Sequence, residues 1–240
     1  MITLLVDPAV FNLPDVKVEG DSYRHLFRAR RVEAGETLRV VDGQGRARWG
    51  KVARVDRTSA TVALSEPAPA AEPAFRLDLL VPTCRLERAS WLVEKSTELG
   101  VYGVHFLNTA RAPRDLGEGS LDRLRRVAAA ALEQCHGSRL PEITGPHAWR
   151  EVARLTAATG PRRWFLDTEA ASAGWGEVAG DAGALLVGPE GGWDPGERRD
   201  LLASGWRPVH LGERVLRLET AALAGAALLL LTVPRMECDG

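Results

Sequence analysis

Lysine is almost missing from this chain: Lys17, Lys51 and Lys95 are the only three, so arginine carries nearly all of its positive charge. Amide side chains are as scarce, with only Asn12, Asn108, Gln44 and Gln134. So few thermolabile residues suit a heat-stable protein, although a GC-rich genome would give the same arginine and alanine bias. The three cysteines, Cys84, Cys135 and Cys238, form no CxxC pair. An odd, scattered set excludes a disulfide framework and fits a reducing compartment, so a cytoplasmic location is expected. Cys135-His136 would be half of a metal site, but sequence neighbours point to different sides of a helix and no second pair is near. No metal is expected. The apolar run from Ala221 to Val233 is shorter than the roughly 20 residues needed to span a bilayer. Met1 to Val10 contains Asp7 and Pro8 and lacks a basic start. Neither a membrane span nor a signal peptide is expected.

What is present is an ordinary globular balance: 240 residues, 45% hydrophobic and 26% charged, enough for one large or two small domains. The net charge is −1, yet its distribution is uneven. Between Ser22 and Arg57 ten basic residues (Arg24, Arg28, Arg30, Arg31, Arg39, Arg46, Arg48, Lys51, Arg54 and Arg57) face four acidic ones (Glu33, Glu36, Asp42 and Asp56). A local cationic field on a nearly neutral chain is the footprint of a polyanion partner. Any single one of these arginines reads as solvated surface; the cluster His25-Leu26-Phe27-Arg28-Ala29-Arg30-Arg31 favours RNA.

The hydrophobic pattern changes along the chain. Glu36 to Val41 and Arg46 to Val55 flank Asp42-Gly43-Gln44-Gly45, a hairpin signal, and Ala60 to Leu64 adds a strand. A small β-barrel is expected here. Glu66 to Ala74 holds three prolines in nine residues and reads as a stiff linker. Beyond it β and α alternate. Strands are expected at Phe75 to Val81, Gly103 to Leu107, Arg163 to Leu166, Ala184 to Val187 and Pro208 to Leu211. Helices are expected at Leu86 to Leu99, Leu121 to Gln134, Trp149 to Ala158, Pro195 to Ala203 and Leu218 to Leu231. Such alternation predicts a parallel sheet covered on both faces.

Two turns near the C-terminus carry the chemistry. Gly188-Pro189-Glu190-Gly191-Gly192 follows an apolar strand and precedes a helix with Asp194 at its N-cap, Pro195 at its first position and Glu197 three residues on. There is no GK[ST] ending and no GxGxxG spacing, and Glu190 would repel a phosphate. Main-chain groups beside a carboxylate suit a neutral heterocycle or a cation. Taken alone, this loop reads as an ordinary glycine-rich turn. A second strand then leads into Gly212-Glu213-Arg214-Val215-Leu216-Arg217. Two such turns at the carboxyl edge of a parallel sheet are where open α/β proteins bind ligands.

Together, LLVGPEGGW and HLGERVLRLETAAL resemble the cofactor-binding half of the SPOUT methyltransferases, and specifically the RsmE family, which methylates N3 of a uridine in small-subunit (16S) ribosomal RNA. Further blocks similar to that family follow in order: His25-Leu26 with its arginine-rich continuation, Glu94 to Val101, and Glu133-Gln134 with Arg139 and Pro141. The resemblance covers almost the whole chain, with Thr83 standing where the family commonly has lysine. It implies an α/β fold: a C-terminal SPOUT-type parallel sheet with a deep trefoil knot, preceded by a PUA-like β-barrel. The implied domains are 1–68 for RNA binding, 69–74 as linker and 75–240 for methyl transfer.

The implied cofactor is S-adenosylmethionine and the implied partners are ribosomal RNA and a second copy of the chain, with the active site completed across the homodimer. Leu166, Gly188, Pro189, Glu190, Gly191 and Gly192 would hold the cofactor from one side. Leu211, Gly212, Leu216, Leu218, Glu219, Thr220 and Ala221 would hold it from the other. Glu219 at a helix start is as readily a partner of the helix dipole as a ligand contact. His25, Arg28, Arg30, Arg31, Lys95, Glu133 and Arg139 fall in blocks that would meet RNA. Uridine N3 must lose a proton before it can take a methyl group, so a cation and a base are needed. Arg217 is the candidate cation and Glu190 the candidate base. Two other functions remain open from the sequence: ribose 2′-O-methylation of tRNA or rRNA, and a non-catalytic RNA-binding role in ribosome assembly.

Overall fold

The computed structural model describes all residues except 71, 113–115, 161, 171–173, 177–179 and 232–240, so Cys238 lies outside the described residues. The chain divides into two compact units, residues 1–72 with 129–140, and residues 73–128 with 141–240.

In the first unit, β1 (Thr3–Leu5) and β2 (Asp15–Val18) precede a short helical segment, α1 (Gly20–Tyr23), which continues as a π-helical turn over Arg24–Ala29. Then come β3 (Thr37–Val41), β4 (Ala47–Val55) and β5 (Ala60–Pro67). The sheet order is β1-β3-β4-β5-β2, with β1 parallel to β3 and the other pairs antiparallel. Strand periodicity sorts the side chains of β3 to two sides. Leu38 and Val40 enter a core with Leu4, Tyr23, Leu26, Phe27, Val52 and Val62. Val41 joins a second cluster with Ala47, Ala68 and Leu132. The hairpin expected at Asp42 to Gly45 is present, and buried Asp42 holds it by accepting from the Gln44 and Arg46 amides at 2.8 and 3.0 Å.

The second unit contains β6 (Arg76–Pro82), α2 (Leu86–Leu99), β7 (Gly103–Asn108), the first turns of α3 (Glu118–Cys135), β8 (Glu142–Ala148), α4 (Val152–Leu155) and β9 (Arg163–Leu166). It ends with β10 (Ala182–Leu186), α5 (Pro195–Ala203), β11 (Arg207–Val209) and α6 (Leu218–Leu231). The six strands are all parallel, in the order β11-β9-β10-β6-β7-β8. The central strands are buried along nearly their whole length because helices cover both faces. In α2 the buried positions Ala89, Leu92, Val93, Ser96 and Thr97 follow helical spacing. The last helix, α6, returns across the sheet to pack on α2, β6 and β10.

β1 and β2, three and four residues long, add short strands to the expected barrel. The structure differs from the sequence expectation in three segments. β8 contains Gly145-Pro146, which reads as a turn but lies at a register shift in an edge strand, where proline is tolerated. The helix expected over Trp149 to Ala158 is α4 between 3₁₀ turns at Trp149–Glu151 and Ala157–Thr159. The Pro-rich stretch is no free spacer: β5 runs to Pro67, Ala68 donates to the Ala47 carbonyl at 2.9 Å, and Glu72 accepts from the Ser138 and Arg139 amides at 2.6 and 2.9 Å. Backbone and side-chain bonds fix its prolines in place.

Candidate active site

The carboxyl ends of β9, β10 and β11 lie side by side at one sheet edge, because β9 pairs with both of the others. The turns that leave them surround a cavity of about 730 Å³, within the size range of small-molecule sites. Its wall includes Leu166 after β9, Gly188 to Gly192 after β10, and Leu211, Gly212, Leu216, Leu218 and Ala221 after β11. These are the residues expected to hold the cofactor, apart from Glu219 and Thr220, which lie outside the wall. Sequence reasoning did not reach Asp167, Trp193, Arg198, His210 and Arg111, which also line it. Asp167 was legible as the residue just after a strand; Arg111 was not, because it follows β7, which stands two strands away from β10 in the sheet.

Hydrogen bonds hold these turns in shape. Trp193 Nε1 donates to the Leu166 carbonyl at 2.8 Å, tying the β10 turn to the end of β9. Asp167, 5% exposed, donates its amide to the Val209 carbonyl at 2.9 Å and accepts from Arg198 Nε at 2.8 Å. Asp194 caps α5 by accepting from the Gly196 amide at 2.8 Å, and Glu197 accepts from the Ala110 amide at 2.8 Å. Two glycines are required by backbone geometry. Gly192 has φ 72°, and Gly212 has φ 106° with open space where a Cβ would stand.

The two candidate catalytic residues are placed differently. Glu190 pairs with Arg88 of α2, whose guanidinium lies 2.7 Å from it. The same guanidinium bonds Glu219 at the start of α6, with Nε 3.0 Å from the carboxylate. Burial works against ionisation of Glu219, but the Arg88 hydrogen bond, its own backbone amide and the charges of Arg88 and Arg217 together outweigh it and hold its carboxyl below the usual range. One arginine therefore clasps both carboxylates. Arg217 is exposed and its side chain is not on the cavity wall; its carbonyl accepts from the Ala221 amide at 2.8 Å, in the first turn of α6.

The residues expected to meet RNA are distributed over both units. In the first, the π turn buries Leu26 and Phe27 and leaves His25, Arg28, Arg30 and Arg31 exposed. Arg28 lies over the Tyr23 ring and donates to the Arg57 carbonyl at 2.6 Å. Arg31 holds φ 56°, unusual without glycine. Glu133 accepts from the Leu5 amide at 3.0 Å, and burial holds its carboxyl above the ordinary range despite the fields of His25 and Arg30. The Arg139 amide donates to Glu72. In the second unit Lys95 pairs with Glu94 and Glu98, each at 2.7 Å.

The cationic excess read from the sequence overstates the free charge. Arg39 is 2% exposed and donates to the carbonyls of Pro69, His136 and Gly137. Arg46 pairs with Asp42, Arg54 with Asp56, and Arg48 donates to three carbonyls. No group of three or more His, Cys, Asp and Glu side chains that could hold a metal occurs among the described residues. His136 Nδ1 is instead 2.9 Å from Thr3 Oγ1. No helix among the described residues is long and apolar enough to cross a membrane.

Comparison with known proteins agrees with this geometry. The sequence profile of an RNA methyltransferase domain matches residues 71–230, and that of an RNA methyltransferase PUA domain matches residues 18–65. Ribosomal RNA small subunit methyltransferase E of Mycobacterium tuberculosis is 31% identical over 229 residues, 89% of this chain and 86% of the relative. The protein of the same name from Treponema pallidum is 29% identical over 165 residues, and the match spans 62% of its length. The crystal structure of ribosomal RNA small subunit methyltransferase E from Neisseria gonorrhoeae bound to S-adenosyl methionine superposes with a TM-score of 0.82 at 25% identity, covering 95% of this chain and 96% of that one. By profile, relatives and fold together, the chain belongs to the RsmE family of SPOUT-type RNA methyltransferases.

Proposed function

We propose that this protein methylates N3 of a specific uridine in 16S ribosomal RNA with S-adenosylmethionine as donor. The observation that carries this reading is the meeting of GPEGG and the Leu211 to Ala221 segment around one cavity in a chain of this family. The cavity fits the cofactor. Leu166, Leu211, Leu216 and Leu218 offer apolar walls for an adenine ring, while the glycine-bearing turns bring main-chain groups close without a side chain in the way. The sulfonium supplies an already activated methyl group, so the protein has to orient the two reactants.

The exposed His25, Arg28, Arg30 and Arg31 would hold RNA phosphates, with residues 1–68 as the RNA-binding domain, 69–74 as the connection and 75–240 as the transferase. Arg139, Glu133 and Lys95 are expected to position neighbouring groups, since each is already engaged within the protein. A homodimer is supported by the apolar surface that α2 and α6 leave open: Trp91, Leu228 and Leu231 are 45%, 43% and 73% exposed. Such a protein would work in the cytoplasm, where its RNA is.

Mass mapping of rRNA from cells with and without the gene tests the assignment. An N3-methyl uridine that disappears on deletion and stops reverse transcriptase is the expected result. A missing ribose methyl, or no missing methyl at all, would refute it. Light scattering of the purified protein is expected to give twice the chain mass.

A further inference from the structure

Beside the cofactor cavity lies a second cleft of about 410 Å³, and the two share Arg111, Pro189, Glu190 and Leu218. An occupant of one therefore lies against an occupant of the other across Pro189 and Leu218. The rest of the cleft wall includes Thr83, Arg85 and Arg88. Three arginines thus face a space next to the methyl donor, and they are not equivalent. Arg88 is committed to Glu190 and Glu219. Arg111 donates one bond, from Nη1 to the Gly191 carbonyl at 2.8 Å, and its stem lies against Gly191. Among the described residues no carboxylate pairs with it. A guanidinium has five N–H donors in a fixed plane, so Arg111 keeps both its charge and most of its donors available.

We infer that this cleft takes the acceptor uracil ring, and that Arg111 is the cation which stabilises the ring when N3 loses its proton. The inference rests on the reading of the chain as a uridine N3-methyltransferase. In the step concerned, the N3–H bond breaks and its proton passes to water. The electron pair stays on the ring, spreading negative charge over N3, O2 and O4, and then forms the new N3–methyl bond as the old carbon–sulfur pair returns to sulfur. A planar donor fork at the ring edge stabilises that charge where it develops. Arg217 is exposed and away from both walls, and Glu190 already accepts from Arg88, so neither is placed for the role as Arg111 is. Arg85, exposed at the cleft mouth, is available for the phosphate of the same nucleotide.

The test is single-turnover methylation of small-subunit RNA at saturating donor, with wild type, Arg111→Ala and Arg111→Lys, across neutral to alkaline pH. Each is repeated on RNA carrying 5-fluorouridine, whose N3 proton is more acidic. Arg111→Ala is expected to slow transfer about a hundredfold at neutral pH. By calorimetry its S-adenosylmethionine affinity, reduced by loss of the Gly191 contact, should fall far less than the rate, by no more than about tenfold. Its deficit should narrow at high pH and on the fluorinated RNA, and Arg111→Lys should recover part of the rate. A rate within about threefold of wild type would overturn the proposal. So would an equal loss at every pH and on both RNAs, which would mark Arg111 as a shaper of the GPEGG turn alone. Transfer by wild type to a ribose, or none, would instead overturn the uridine N3 reading itself.

Discussion

Gly192 has room for a side chain, since the nearest atom to an added Cβ is Arg111 Nη1 at 3.9 Å, but its φ of 72° is costly for a branched residue. Gly192→Val should cost about 1 to 2 kcal/mol locally or force the turn to rearrange. Either way S-adenosylmethionine affinity is expected to fall by at least about tenfold in calorimetry, with RNA affinity unchanged. Equal donor affinity in the two proteins would remove the turn from the cofactor site. At Glu133 the argument concerns pH. Burial raises its carboxyl above the ordinary value, so the folded state holds the proton more tightly than the unfolded chain. The resulting penalty is absent below the ordinary glutamate range, grows as pH rises from the ordinary value to the raised one, and is constant above it. Glu133→Gln keeps an acceptor for the Leu5 amide and removes that penalty. Its Tm should exceed wild type by a few degrees at pH 7 and match it in acid; a gap independent of pH would contradict this.

At the scale of elements, α5 shows a local code that can be read directly. Asp194, Pro195 and Glu197 give a cap, a first helical residue and a capping-box partner, and all three take those positions. Asp194→Ala should cost about 1 kcal/mol, or about 2 to 4 °C in Tm, measured by thermal denaturation. An unchanged Tm would mean the helix is held by packing alone. The Arg88 clasp had no such code. Its three members lie on α2, the β10 turn and α6, more than a hundred residues apart in the case of Arg88 and Glu219, and only the return of α6 brings them together. β8 was hidden for the opposite reason: its local signal, Gly145-Pro146, indicates a turn, and pairing with β7 overrides it.

For the whole molecule, the distribution of charge bears on the proposed RNA binding. Many arginines of the first unit are spent on carbonyls and carboxylates, which concentrates the exposed positive charge at the π turn. Arg28→Ala combined with Arg31→Ala should weaken RNA binding and reduce the salt slope by about two, read from titrations at several salt concentrations. Donor affinity should not change. The sequence alone determined the kinds of element, the alternating β and α pattern, the paired glycine turns and the kinship they carry. Those features rest on short-range geometry: side-chain period, backbone freedom at glycine, and caps within one helical turn. Tertiary structure alone decided that β9 stands between β10 and β11, that Arg39 is buried and Arg28 exposed, that Arg88 neutralises Glu190, and that Arg111 lines both the cavity at the ends of β9, β10 and β11 and the cleft beside it. Each of these depends on which distant segment supplies the partner for a charge or a strand edge, and no local period records that choice.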